Sequence, residues 1–172
     1  MDKPDCIAPH KRELFRKLAE RHPNLDLRGL EVTATLKATC KSFDGMMENQ
    51  LQEFGLSEGR FFVLVYLFSE ELFQHDMPGP SDIADNLGVT RATITGLLDG
   101  LERDGYVERY QDNRDRRALK ISLTDKARRF MDDFIPSAAE AANSALNALD
   151  PEEQATFKFL LGKLTTPAVA AP

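Results

Sequence analysis

Apolar residues recur at helical spacing in the first part of the chain. This spacing predicts a short amphipathic helix over residues 11–21, a long helix over residues 27–54 and a third helix from Ser57 to Phe73. The apolar stripe of the long helix falls at Leu36, Cys40, Phe43, Met47, Leu51 and Phe54. Residues 61–68 in the third helix are apolar on every side, which predicts a helix enclosed on all faces. A buried strand is the alternative for this run, but the length and the caps of the segment favour a helix.

A short helix, a tight turn and a longer helix follow the Pro- and Gly-rich loop at residues 77–80. Ser81 is the predicted N-cap of the short helix, and Gly88 is suited to the left-handed conformation that ends it. Thr90 then caps the longer helix, which is expected to end at Gly105. One face of the longer helix carries Ile94, Leu97, Leu98 and Leu101. The pattern is that of a helix-turn-helix, although helical hairpins with no role in DNA binding share it.

Two alternating segments then predict a β-hairpin. Residues 106–110 and 119–123 alternate apolar with polar positions, and residues 111–116 form a polar turn between them. The tip of the hairpin is rich in arginine, with Arg114, Asp115, Arg116 and Arg117. A solvated turn normally mixes the signs of its charges more evenly, so we interpret the basic tip as a wing that contacts DNA.

The last third of the chain predicts two more helices. Thr124 caps the first, and Pro136 is expected to kink or interrupt it because proline lacks the backbone N–H. The second begins at Asp150, with Pro151 at the first helical position and Glu153 two residues later. This order of residues is typical of a capped helix start.

Length and charge change this picture in one respect. A chain of 172 residues is suited to one domain with a real core. Its net charge of −6 argues against a nucleic-acid partner when taken as an average. Residues 90–129, however, hold ten basic and seven acidic residues, so this segment carries +3 and the remainder −9. The sequence therefore places a basic module on an acidic body.

Several classes of protein are excluded by what the sequence lacks. The longest apolar run has eight residues, too few for a bilayer span, and no secretory signal is evident, so we expect a cytoplasmic protein without membrane contact. Cys6 and Cys40 do not form a Cys-x-x-Cys motif. The histidines are isolated, and no catalytic or phosphate-binding motif occurs. We therefore expect no enzyme activity, no metal and no cofactor.

Residues 56–124 resemble the MarR family of bacterial transcription regulators, most specifically over residues 83–95, 97–109 and 112–124. The resemblance implies a mainly α fold with a small β-hairpin wing. A winged helix-turn-helix at 56–124 would be flanked by dimerisation helices at 11–55 and 125–165, all within one domain over 1–172. It also implies a homodimer on double-stranded DNA with an inverted-repeat operator. The recognition helix would lie in a major groove and the wing over the adjacent minor groove.

The predicted DNA contacts lie at the start of the recognition helix and on the wing. Unpaired N–H groups and the helix dipole favour phosphate at a helix N-terminus. The planar guanidinium of Arg91 suits a guanine edge, and Arg117 suits a narrow minor groove, where Asp115 would position it. Tyr110 either touches the sugar-phosphate chain or packs on the wing. The full set is Ser81, Thr90, Arg91, Ala92, Thr93, Thr95, Arg109, Arg114, Asp115, Arg116 and Arg117.

The resemblance also implies a small aromatic or anionic effector that releases the DNA. Its cleft would lie between the dimerisation helices and the winged region. The candidate residues are Lys37, Cys40, Lys41, Phe43, Arg60, Phe61 and Leu64. Arg60 is the sole basic residue between residues 44 and 89, so a structural ion pair with Glu53 or Glu58 is the alternative.

Two other functions remain open from the sequence. The first is thiol-based redox sensing through Cys40, although a cysteine on an apolar stripe is usually a buried and inert small hydrophobe. The second is a dimeric interaction module that has lost DNA binding. A salt-dependent mobility shift on any duplex separates that module from a DNA-binding regulator.

Overall fold

The computed structural model describes residues 9–112 and 118–165. Within these residues the fold comprises helices α1 (Pro9–Arg21), α2 (Arg28–Gln52), α3 (Glu58–Leu72), α4 (Pro80–Leu87), α5 (Arg91–Arg103), α6 (Asp125–Leu146) and α7 (Pro151–Thr165), and strands β1 (Val107–Gln111) and β2 (Leu119–Leu123). The two strands form one antiparallel sheet. The predicted fold class, mainly α with a β-hairpin, is confirmed. In this part of the chain, no helix combines the length and the apolar character needed to cross a bilayer.

The chain divides into two compact units, and the boundary between them, after Phe61, lies within α3. The first unit contains α1, α2 and the first turn of α3, and the second contains the rest. The link from α2 to α3 is as the sequence predicts. Gly55 adopts a positive φ of 66°, and the Leu56 N–H donates to the Leu51 carbonyl at 3.1 Å. The predicted start of the winged region at residue 56 stays a prediction.

The core of the second unit joins the elements around the hairpin. The side chains with almost no exposure are those of Val63, Leu64 and Leu67 in α3, Ile83 and Ala84 in α4, Ile94, Leu98 and Leu101 in α5, Val107, Ile121 and Leu123 in the strands, and Ala127, Met131 and Phe134 in α6. Residues of α4, α5, β1, β2 and α6 thus meet in one apolar interior. Each of these elements turns one face inward and leaves the other at the surface.

The expectation that residues 61–68 are enclosed on all sides is wrong. The segment is helical, but Phe62 and Val65 are exposed, as is Leu72 further along the same helix. Val65 lies three residues after Phe62, and Leu72 lies seven residues after Val65, so the three side chains share one side of the helix. The core side of the same helix carries Val63, Leu64 and Leu67. The sequence pattern shows that both faces are apolar, but only one of them is buried within this chain.

The predicted N-cap of α4 is also wrong. The helix begins at Pro80, and the cap is Gly79 rather than Ser81. The Gly79 N–H donates to the Asp82 carboxylate at 2.8 Å, and Pro80, with its fixed φ, occupies the first helical position. Asp82 therefore caps the start of the helix through the Gly79 N–H, and Ser81 is the second residue of the helix.

Pro136 does not interrupt α6, which runs without a break from Asp125 to Leu146. A proline removes the hydrogen bond to the carbonyl four residues earlier, here that of Asp132. Both Asp132 and Pro136 are exposed, so water can satisfy the freed carbonyl. The helix tolerates Pro136 because it lies on the hydrated side.

Candidate nucleic-acid interface

The threonines at the start of α5 order its first turn. The Thr93 N–H donates to Thr90 Oγ1 at 3.1 Å, and the two threonine hydroxyls lie 2.8 Å apart. Thr95 Oγ1 donates to the Arg91 carbonyl at 2.9 Å. The predicted cap at Thr90 is therefore confirmed. These hydrogen bonds tie the three hydroxyl groups to the start of the helix. A threonine side chain also carries a methyl group, which suits contact with thymine.

Arg91 begins the exposed face of the same helix. Its side chain makes no ion pair or hydrogen bond with the residues that the structure describes, and Ala92 beside it is exposed. Gly96 follows one turn later, with no atom within 4 Å of the position that a Cβ would take. The opposite face, at Ile94 and Leu98, is fully buried. This helix end thus presents a cation and a positive dipole next to small residues.

Gly96 was not among the residues predicted from sequence. It lies four residues after Ala92, on the side of α5 opposite the apolar positions. A small residue there allows another surface to approach the helix backbone closely. The signal was present in the sequence as a second small residue on the polar face of the predicted recognition helix.

The turn between α4 and α5 has the predicted geometry. Gly88 adopts a positive φ of 66°, and the Val89 N–H donates to the Ala84 carbonyl at 3.1 Å. This hydrogen bond closes the end of α4. Thr90 follows in an extended conformation and starts α5. The second helix is therefore held at a fixed angle to the first, and Ser81 lies half-buried near the other end of α4.

The base of the wing is attached to the loop before α4. In the antiparallel ladder, Val107 pairs with Leu123 and Gln111 with Leu119. The Ile121 N–H donates to the Pro78 carbonyl at 3.0 Å. A Cβ at Gly79 would lie 2.9 Å from the Leu119 carbonyl oxygen, so this close approach requires glycine. The predicted tip residues Arg114, Asp115, Arg116 and Arg117 lie outside the described residues, and their DNA contacts stay predictions.

Arg109 is held against the recognition helix. Its Nη2 lies 2.6 Å from Asp99 Oδ1, and its Nη1 lies 3.0 Å from Glu102 Oε2. The side chain is half-buried, unlike that of Arg91. Both terminal nitrogens of its guanidinium thus bind carboxylates of α5, and its predicted contact with DNA stays a prediction.

Tyr110 lies on the other face of β1, opposite Lys120 in the ladder. Partial burial raises the pKa of its hydroxyl, and the carboxylates of Asp112, Asp76 and Glu108 raise it further. The Tyr110 side chain is nevertheless 42% exposed. Both interpretations, contact with the sugar-phosphate chain and packing on the wing, therefore stay open.

The other end of α5 is anchored by the start of α6. Gly105, where the sequence predicts the end of the helix, adopts a positive φ of 74°, and the Tyr106 N–H donates to the Leu101 carbonyl at 2.8 Å. Lys126 Nζ donates to the Asp104 carbonyl at 2.7 Å and lies 4.2 Å from the centre of the Tyr106 ring. A cation is favourable at a helix C-terminus. This role of Lys126 is not evident from the sequence, because Lys126 lies in α6 and its partner Asp104 lies at the end of α5.

Most of the predicted effector residues belong to the first unit. Four of them lie on α2 and are exposed: Lys37, Cys40, Lys41 and Phe43. The expectation that Cys40 is buried is wrong, since Cys40 is exposed and forms no disulfide bond with the described residues. The first unit also contains Arg60, which is half-buried, and Phe61, which is buried; Leu64 is fully buried in the second unit. The effector site stays a prediction.

Comparison with known proteins agrees with this geometry. The profile of the MarR family matches residues 56–119. The HTH-type transcriptional repressor YetL of Bacillus subtilis is 36% identical over 146 residues, which cover 85% of this chain and 86% of YetL. The transcriptional repressor MprA of Escherichia coli is 30% identical over 152 residues, covering 88% of this chain and 85% of MprA.

The fold is also similar to that of a solved structure. The S. aureus MepR–DNA complex has a TM-score of 0.65 and 26% sequence identity, and the match covers 75% of this chain and 92% of MepR. Proteins of this group regulate transcription and are not enzymes, which confirms the prediction that this chain is not an enzyme. With its helix-turn-helix, its hairpin and these relatives, the chain belongs to the MarR family of transcriptional regulators.

Proposed function

We propose that this regulator is a homodimeric repressor that binds an inverted-repeat DNA operator in a sequence-specific manner. The observation that carries the proposal is the start of α5, where Arg91 is exposed beside small residues and the opposite helix face is fully buried. A helix held in this way presents a rigid surface to a major groove. Arg91 has the donor geometry to read a guanine edge.

The electrostatics of the first turn support the same function. The N-terminal N–H groups of α5 attract phosphate, and Thr90 orders the turn that carries them. Ala92 and Gly96 add little bulk, so the helix can lie close to base edges. MepR, which shares this fold, has been solved in complex with DNA. A recognition helix in the major groove is the arrangement that these features fit best.

Dimerisation is supported by apolar side chains that the single chain leaves uncovered. The exposed residues of the terminal helices include Leu14 in α1 and Phe157, Phe159, Leu160 and Leu164 in α7. Large exposed apolar side chains in such number are typical of an interface. A two-fold dimer would present two copies of α5, and half-sites would then lie about 10 bp apart, one turn of DNA.

The repressor assignment follows the relatives, since YetL and MprA are both named as transcriptional repressors. Release of DNA by a small effector completes the proposal. The exposed cations Lys37 and Lys41 on α2 suit an anionic group. Isothermal titration with benzoate-type aromatic acids tests this part, and the Lys37→Gln, Lys41→Gln variant is expected to bind them more weakly.

The central experiment selects tightly bound duplexes from a random DNA pool and measures their affinity by fluorescence anisotropy. We expect a palindromic consensus with half-sites about 10 bp apart. Affinity should fall steeply between low and physiological salt because phosphate contacts release counterions. Selection of no consensus, or binding that is indifferent to salt, would overturn the proposal in favour of an interaction module without DNA binding.

Arg91→Ala tests the proposed base contact. The variant should lose discrimination at one or two base pairs, at a cost of about 1–3 kcal/mol for each contact. Affinity for single-base variants of the selected duplex provides the measurement. Arg103→Ala is the matched control, because Arg103 is exposed at the other end of α5 and pairs with Asp104 at 3.2 Å. Equal base discrimination in Arg91→Ala and the parent would exclude this role for Arg91.

A further inference from the structure

We propose that Arg109 is a positioning residue that sets the wing against the recognition helix, rather than a contact to DNA phosphate. The inference rests on the proposed function, because it assigns roles within the same DNA-binding surface. It concerns three side chains: Arg109 on β1, and Asp99 and Glu102 on α5.

The geometry is that of a two-armed bridge. Asp99 and Glu102 lie three residues apart on one side of α5. Asp99 Oδ1 accepts a hydrogen bond from Arg109 Nη2 at 2.6 Å, and Glu102 Oε2 forms an ion pair with Arg109 Nη1 at 3.0 Å. One guanidinium thus spans almost a full turn of the recognition helix. Arginine is suited to this task because its five donors form a rigid planar fork, which lysine lacks.

Burial distinguishes Arg109 from a surface arginine. Its side chain is 24% exposed, and its Nε is buried without a hydrogen-bond partner among the described residues. A buried donor without a partner is unfavourable, so the bonds at the terminal nitrogens must hold the side chain in place. A guanidinium that is fixed in this way is not free to turn towards a phosphate.

Because Arg109 lies on β1, the bridge can set the orientation of the whole hairpin. Val107 and Arg109 occupy the same face of β1, and the ladder to β2 fixes both strands as one piece. Val107 is buried in the core, so the apolar contact and the ionic bridge together define the tilt of the hairpin relative to α5. The two DNA-reading elements are thereby held at one relative orientation.

The charges of Asp99 and Glu102 make the direction of the change in DNA affinity a test of the proposal. The Asp99 and Glu102 side chains are 58% and 41% exposed on the helix that would face DNA. Considered only as charges, they repel a polyanion, and their neutralisation should strengthen DNA binding. If the two acids hold the wing through Arg109, the same neutralisation should weaken DNA binding.

The experiment measures binding of the parent and three variants to the selected duplex and to a scrambled duplex at several salt concentrations. The variants are Arg109→Lys, the double substitution Asp99→Asn with Glu102→Gln, and the triple combination. We expect each of the first two to bind the selected duplex about two- to five-fold more weakly. The triple variant should bind the duplex no more weakly than either of these two variants, because all three residues form one unit. The salt slope should stay that of the parent.

A phosphate contact predicts the opposite set of results. Arg109→Lys would then bind like the parent, and neutralising the two acids would leave the affinity unchanged or raise it. An Arg109→Met variant would lower the salt slope by about one unit. Any of these results overturns the positioning role. Glu108→Gln is the matched control, since it neutralises an exposed acid of β1 outside the bridge and should not weaken binding.

A second measurement separates this inference from the proposed function. Hydrogen exchange of the β1 and β2 amides in the protein without DNA should be faster in Arg109→Lys and in the acid variant, while their melting temperatures stay close to that of the parent. Unchanged exchange overturns the bridge, whatever the DNA data show. If the parent selects no duplex, the proposed function fails, and the exchange data still decide whether Arg109 holds the wing.

Discussion

Helices α5 and α7 are of similar length and belong to the same compact unit, yet they differ in what covers their apolar residues. Ile94, Leu98 and Leu101 of α5 are fully buried. In α7, none of the described residues Pro151–Thr165 is buried, and Leu160 and Leu164 are 51% and 67% exposed. An apolar stripe thus indicates that a face is to be covered, but it does not say whether the same chain covers it.

The difference follows from what lies next to each helix along the chain. The neighbours of α5 in sequence, α4 and β1, both pack against it. These contacts close over short loops, at a small entropy cost. α7 is the last described helix, and its apolar side is not covered by the residues that the structure describes. The first helix completes a core within one chain, whereas we expect the second to supply an interface.

The largest expected effect concerns α7. Replacing Leu160 and Leu164 by Glu should convert the dimer into a monomer of 19.3 kDa. A two-fold interface loses four leucine side chains, each worth about 1.5 kcal/mol or more, so association should weaken by about 6 kcal/mol. Sedimentation equilibrium measures the mass, and circular dichroism checks that helix content is kept.

Lys158→Glu is the control for this variant, because it changes charge on the same helix and keeps the leucines. It should sediment as the parent does, at about twice the monomer mass. If the parent itself is a monomer at micromolar concentration, α7 is not a dimer interface. The contrast between α5 and α7 would then need another explanation.

An intermediate effect is expected for Leu98→Ala in α5. Removal of a fully buried leucine should lower the free energy of unfolding by about 2–5 kcal/mol, through lost burial and a residual cavity. Urea unfolding at several protein concentrations gives the measurement. The loss should be the same in the monomeric α7 variant, since the core of α5 lies within one chain. A loss confined to the dimer would contradict this view.

The smallest expected effects come from two glycines near the same helix-turn-helix. Gly79→Ala should destabilise the fold by about 1–3 kcal/mol, because the new Cβ would lie 2.9 Å from the Leu119 carbonyl oxygen. Gly96→Ala should stabilise it by about 0.5–1 kcal/mol, because the site on α5 is open and alanine favours a helix. Thermal unfolding of the two variants side by side tests the opposite signs.

The sequence was most informative where a structure depends on neighbouring residues. The caps at Thr90, Thr124 and Asp150 are all confirmed, with side-chain oxygens that accept from the next turn. The left-handed end at Gly88 is confirmed in the same way, and Gly105, where α5 is predicted to end, is also left-handed. Ser81 shows the limit of such reasoning, because the cap of α4 is Gly79, whose N–H donates to the Asp82 carboxylate.

The sequence by itself determined the order and type of the elements, the ends of most helices and the family, because periodicity, caps and motifs are local properties. Only the tertiary structure decided which apolar faces of α3 and α7 the chain leaves uncovered, and that Cys40 is exposed. It also decided that Arg109 binds two acids of α5 while Arg91 stays unpaired among the described residues. Ion pairs and burial depend on residues far apart in sequence, and their distance is set only when the elements pack.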